Sequence, residues 1–254
     1  MKKIMSGLVM SACAVAVLVS PASAQYITGP SSGFANQYDG NQIWDGTNFV
    51  NQWAQAGGAT PASLSLNGTN LVQTNDANNG WVQHDGGTTP WETGTGSFAL
   101  EVSLKLNDTD LSLNDNIALW MEGQGNRQII VVTSTAVHAW GGNSLGPVLI
   151  DNVNNTDDFH TFRVNFNPND TSAGPEGTYQ VLRDGTLISG AGLARESGQS
   201  NSRLIVGDCC TQPLGNPVDQ FEIQYVRYTY VPEPGAIALC FAAMGGVLSR
   251  RRRR

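Results

Sequence analysis

Residues 97–107 read SFALEVSLKLN, and within them Leu100, Val102, Leu104 and Leu106 alternate with Glu101, Ser103 and Lys105. Successive side chains of an extended strand point to opposite faces, so this period of two is that of a strand with one apolar face. Residues 159–167, FHTFRVNFN, repeat the pattern with Phe162, Val164 and Phe166 against Thr161, Arg163 and Asn165. Between the two lie NIALWME (116–122), RQIIVVT (127–133) and AVHAWGG (136–142), short runs rich in β-branched and aromatic residues and bounded by Gly, Asn or Ser. They read as consecutive antiparallel strands.

Further on, GTYQVLRDGTLISG (177–190) reads as a hairpin with Asp184-Gly185 as its two-residue turn. SRLIVGD (202–208) and QFEIQYVRYTY (220–230) supply two closing strands. The earlier region, rich in Asn, Gly and Thr, carries weaker strands near Leu64, Leu71 and Trp81, and Phe49–Ala56 is the one stretch with room for a short helix. Many short strands with Gly/Asn turns define an all-β, two-sheet antiparallel sandwich. Its length, residues 25–230, suits one domain.

The flanks differ from this body. Lys2 and Lys3, an apolar run from Ile4 to Val19, and Ala22-Ser23-Ala24 before Gln25 form a secretory signal peptide over residues 1–24, with signal peptidase expected to cut after Ala24. The other end, 231–254, joins Val231-Pro232-Glu233-Pro234 to an apolar stretch and to Arg250, Arg251, Arg252, Arg253 and Arg254. As a helix, Gly235–Ser249 would rise only about 22 Å at ~1.5 Å per residue, short of a ~30 Å hydrocarbon core. It suits transient insertion into the inner membrane, and the arginine cluster stays cytoplasmic, leaving the body outside. This order of parts resembles the PEP-CTERM sorting signal of bacteria that make extracellular polysaccharide. The resemblance implies an exosortase as processing partner at the Pro-Glu-Pro motif, and a cell-surface or extracellular destination.

Charge narrows the function classes. Setting aside Lys2, Lys3, Glu233 and the five terminal arginines from 14 basic and 21 acidic residues leaves a body charge of −13. Such a surface repels phosphate backbones and anionic lipid, which argues against nucleic acid as a partner. Of the four cysteines only Cys209 and Cys210 lie in the body, and they are adjacent. Neighbouring α-carbons sit ~3.8 Å apart, below the ~4.4–6.8 Å of unstrained disulfides. A strained vicinal ring, pairing to another chain, and free thiols all remain open.

The runs 158–168 and 177–188 and the strand FEIQYVRYT (221–229) resemble the concanavalin A-like lectin/glucanase superfamily, including laminin-G-like jelly rolls. Glucanases of that superfamily place two carboxylates at alternate positions of one strand, because hydrolysis needs an acid and a nucleophile flanking the bond. The matching strand here, 116–124, offers Glu122 as its one carboxylate, and no Glu-x-Asp-x-Glu pattern occurs in the chain. A non-catalytic module is therefore expected. The histidines His84, His138 and His160 have neither a nucleophile elbow nor metal-ligand spacing. His160, beside Asp157 and Asp158, reads as a hydrogen-bonded histidine at the start of a strand.

Structural calcium is the one cofactor in view. Asp108, Asp110 and Asp115 in NDTDLSLNDN (107–116) form an oxygen-rich loop, although clustered Asp and Asn also make ordinary solvated turns. The resemblance places a calcium-binding aspartate in the last strand, where this chain has Gln224. For a sugar-binding face, alternation puts Trp120 and Glu122 on one side of their strand, His138 and Trp140 on the matching side of theirs, and Arg163 follows from the neighbouring pattern. Trp91, in the loop 88–94, is an outside candidate. In the opposite register Trp120 and Trp140 fill the space between the sheets. Aromatic faces beside hydrogen-bonding groups suit a pyranose ring. Two expectations follow: a module that associates with extracellular polysaccharide, or a structural, protein-interacting domain of the cell envelope.

Overall fold

The computed structural model describes residues 34, 36–41, 53–57, 64–73, 80–85, 96–107, 109, 117–123, 125–140, 147–198, 203–208 and 221–231. Residues 1–24 and 232–254 of the flanking segments lie outside this set, as do Trp91, Asp108, Asp110, Asp115, Cys209 and Cys210, whereas Val231 falls within it as the last residue of a strand. No helix among the described residues is long and apolar enough to cross a membrane.

Two antiparallel sheets face one another. The first is built on the opening stretch, β6 (Ser97–Leu106), flanked by β11 (His160–Asn167) and the closing strand β17 (Phe221–Val231). Beyond β11 lie β12 (Thr178–Arg183), β13 (Thr186–Leu187) and β14 (Leu193–Ala194), and beyond β17 lie β1 (Asn36–Asp39), β3 (Leu64–Asn67) and β4 (Asn70–Gln73). The second sheet runs in the order β10 (Pro147–Asp151), β9 (Val137–Trp140), β8 (Asn126–Val132), β7 (Ile117–Gly123), β16 (Arg203–Asp208), β5 (Gly80–Asp85) and β2 (Trp53–Gly57), with β15 (Glu196–Ser197) beside β8. This is the two-sheet antiparallel sandwich expected from the alternating pattern and the jelly roll that the resemblance implies.

The core sits where the two apolar faces meet. Leu100, Val102, Leu104 and Leu106 of β6 and Phe162, Val164 and Phe166 of β11 pack against Ile117, Leu119, Met121, Ile130 and Val132 of the other sheet. Full burial of each such side chain is worth roughly 1.5–3 kcal/mol. The hairpin turn is as read: Asp184 and Gly185 both have positive φ, 50° and 78°, as a primed two-residue turn demands.

Two expectations fail. Residues 53–57 form a strand paired to β5 instead of a helix, since cross-strand hydrogen bonding outweighs the weak helix preference of so short a run. The polar face of β6 is not solvated either, because Glu101 is only 1% exposed. Arg163 Nε donates to Glu101 Oε2 at 2.6 Å, while Arg227 Nε and Tyr225 Oη donate to Oε1 at 2.8 and 3.1 Å. Phe34 lies against both guanidiniums, 5.2 and 5.1 Å from their carbons. A charge can be buried here because it is neutralised and hydrogen-bonded on several sides.

At one end of the sandwich the connector 152–159 crosses from the second sheet to the first, and Asn155 fastens it. The Asn155 Nδ2 group donates to the carbonyls of Thr133 and Ala136 at 2.9 and 3.2 Å, and its backbone N–H donates to Ser134. Its own carbonyl and Oδ1 accept from Leu106 N–H and Arg183 Nε. One fully buried amide thus ties β6, β12 and the β8–β9 turn together.

Candidate functional site

The outer face of the second sheet carries the groups with binding chemistry. Its inner positions, Leu119, Met121, Ile130 and Ala139, belong to the core, so the alternate positions face away from it. Ala118, Trp120, Ile129, Val131 and Ile205 form a second apolar cluster there, with Trp140 packed against it. Of the two registers open at the sequence level, the outer one is therefore occupied, and Trp120, Glu122, His138 and Trp140 share a face.

Cross-strand register sorts this face into bands. Glu196 stands opposite Arg127 and Arg127 opposite Glu122, so charges of opposite sign alternate across three strands, and the backbone register continues from Glu122 to Arg203 and from Arg203 to Asp85. Cross-strand pairs of this kind are mutually stabilising. Arg127 Nε and Nη2 donate to the two Glu196 oxygens at 2.6 and 2.9 Å, and Nη1 lies 3.9 Å from Glu122 Oε1. The neighbouring band is apolar, with Ile205 opposite Trp120 and Trp120 opposite Ile129. The third pairs Ala118 with Val131, Val131 with His138 and His138 with Leu149.

Accessibility within the face is uneven. Trp120 is 9% exposed, and the Arg127 guanidinium lies 5.2 Å from its ring centre. Glu122 is buried, whereas His138 and Trp140 are half-buried and Leu149 is exposed. Burial lowers the His138 pKa below the usual histidine value, which favours neutral imidazole. Its Nδ1 has no hydrogen-bond partner among the described residues. The accessible part of the face thus centres on β9.

Arg163 does not join this group. It belongs to β11 in the other sheet and is spent on Glu101, because the period that aligned it with Trp120 cannot say which sheet a strand enters. Pattern reading also missed Arg127, Arg203 and Glu196. Only register brings Arg203 and Glu196, from distant parts of the sequence, beside the strands of Glu122 and Arg127.

No group of three or more His, Cys, Asp or Glu residues able to hold a metal occurs among the described residues. Around Gln224 the donors are already committed. Its Oε1 accepts from Ser103 Oγ at 2.8 Å and its carbonyl from Gly40 N–H at 2.6 Å, at a bulge in the pairing of β17 with β6. His160, as read, is hydrogen-bonded, to Asp184 and Asp157.

The sandwich has the concanavalin A-like lectin/glucanase fold. An endo-1,3-β-glucanase from Streptomyces sioyaensis superposes with a TM-score of 0.55 at 15% identity, over 80% of this chain and 99% of that one. A Trypanosoma rangeli sialidase, solved with 2,3-difluorosialic acid as a covalent intermediate, gives 0.52 at 11% identity over 80% of this chain and 31% of that one. No protein-family model matches the sequence, and no curated protein matches it.

Proposed function

We propose that the chain is an exported, exosortase-processed protein whose sandwich associates with extracellular polysaccharide without cleaving it. The observation that carries this reading is the banded outer face of the second sheet. There an aromatic and aliphatic strip around Trp140 and Trp120 runs beside a row of alternating charges. A sugar ring stacks its C–H face on aromatic carbon while its hydroxyls seek charged and polar partners. The body charge of −13 favours neutral over acidic glycans. Glu122 and Glu196 both contact Arg127 instead of flanking an open gap, which supports binding over hydrolysis. Calcium enters the reading only through Asp108, Asp110 and Asp115.

Affinity electrophoresis of the purified body through gels containing the producer's own polysaccharide or a glycan panel tests this. Retardation that Trp140→Ala weakens is expected, and no retardation across the panel overturns it. A second reading, a protein-interacting domain of the envelope, is favoured by the exposed aliphatics Val148 and Leu149, which stand opposite Ala139 and His138 at the sheet edge. A stoichiometric protein partner unaffected by free glycan would support that alternative.

A further inference from the structure

We infer that His160 is a proton-controlled latch that fixes the 152–159 connector and, through it, the turn that launches β9. Its two ring nitrogens face different carboxylates: Nδ1 is 2.8 Å from Asp184 Oδ2, and Nε2 is 2.9 Å from Asp157 Oδ1. A carboxylate only accepts hydrogen bonds, and neutral imidazole has a single N–H. Only the imidazolium satisfies both contacts, and both are then of the strong, charge-assisted kind. His160 is 9% exposed, so solvent is a poor substitute for a lost partner.

The charged groups around the ring are few. The connector brings Asp157 and the exposed Asp158, and the β12–β13 turn brings Asp184, with Arg183 Nη1 3.4 Å from Asp184 Oδ2. From β6 the residue opposite His160 is Leu104, which is apolar. Asp184 is held a second time, by Thr161 N–H at 2.8 Å. When the imidazolium loses a proton, the remaining N–H stays with this braced carboxylate. The bare nitrogen then confronts Asp157, and the contact to the exposed connector is lost.

That connector is the one Asn155 ties to Thr133, Ser134 and Ala136, with Val153 N–H adding a bond to the Thr135 carbonyl. Ala136 directly precedes β9, the strand of His138 and Trp140. Protonation at His160 therefore bears on the strand that presents the accessible part of the face. The sign is fixed by the imidazolium: the latch is closed while the ring carries both protons and opens when it gives one up. At the acid extreme it fails when Asp157 takes a proton. The His160 hydrogen bond holds that carboxyl below its usual value, so the acid limit lies lower than for a free aspartate.

Nitrogen-15 NMR of the His160 ring, with amide hydrogen exchange across pH, tests the latch without any ligand. Both ring nitrogens should be protonated while it is closed. When the ring gives up a proton, the protection factors of Val153 and Asn155 should fall about two- to five-fold, the step a pair with one exposed partner, such as His160 and Asp157, supplies, while Leu119 in mid-sheet holds. Asp157→Asn, an exposed change whose amide can meet either state of the ring, should abolish the step. A ring neutral wherever both contacts persist, or a titration with no change at Val153 and Asn155, overturns the proposal. The effect on binding rests on the glycan reading above: retardation by polysaccharide should weaken with the same midpoint in the wild-type chain and not in Asp157→Asn. Retardation that is independent of pH beside a clear exchange step overturns the link to β9, whereas no retardation at any pH overturns the glycan reading and leaves the latch to the exchange data.

Discussion

The Tyr179 hydroxyl, rooted in the first sheet, donates across the sandwich to the Trp140 carbonyl of the second at 3.2 Å. Burial raises the Tyr179 pKa well above that of a free phenol, so it remains a donor throughout the physiological range. The position of the half-exposed indole is thus set partly from beneath, by a residue that never reaches the outer face. Tyr179→Phe should cost about 0.5–1.5 kcal/mol in stability, read as a lowered denaturation midpoint. It should also weaken glycan retardation, although the ring that meets solvent is unchanged.

Glu101 is the buried anion between the Arg163 and Arg227 guanidiniums. Truncating it leaves the buried Arg163 and the largely buried Arg227 without their shared carboxylate, and loss of one member of such a network typically costs about 3–5 kcal/mol. Glu101→Ala should therefore be severely destabilised in urea titration. The triple replacement of Glu101, Arg163 and Arg227 by apolar residues of similar volume should recover much of the loss.

Gly40 marks a close backbone approach. A Cβ at this position would fall 2.1 Å from the Ile223 carbonyl oxygen and 2.8 Å from that of Gln224, and neither atom belongs to a flexible side chain. Gly40→Ala should break the Gly40 N–H bond to Gln224 and loosen β1 from β17, at roughly 1–3 kcal/mol for overpacking. Hydrogen exchange at β1 should report it before the global transition does.

His138 supplies a pH dependence. Its folded pKa is lowered by burial, so the unfolded chain takes up the proton first as pH falls. The stability it contributes is present above the unfolded value of about 6.5 and is lost as pH drops toward the folded one. Thermal midpoints should decline over that acid window in the wild type and decline less in His138→Gln.

The strands with one apolar face could be read directly, because a period of two is a local property. That covers β6, β11 and β17, together with the Asp184-Gly185 turn. Edge pieces escaped: β10 has exposed aliphatics and opens on Pro147, and β14 and β15 are two residues long, so neither carries a period. For the face, local alternation correctly set Trp120 with Glu122 and His138 with Trp140. It could not assign Arg163 to a sheet, nor bring Arg203 and Glu196 beside Glu122 and Arg127, since partner choice between strands is a long-range property. The buried charge network was invisible for the same reason: Glu101, Arg163 and Arg227 each look like ordinary solvent-facing residues in their own strands.

One edge of the second sheet bears on how such molecules coexist when crowded. Strand β10 ends the sheet with Val148 and Leu149 exposed, an arrangement that invites a second copy to add its own strand. Pro147 lacks the amide donor at its start, and the pairing with β9 slips between Leu149 and Asp151. With a missing rung at one end and an offset at the other, the border is too short and too irregular to template stacking. A second copy that approached this border would meet fewer regular rungs than a full strand offers.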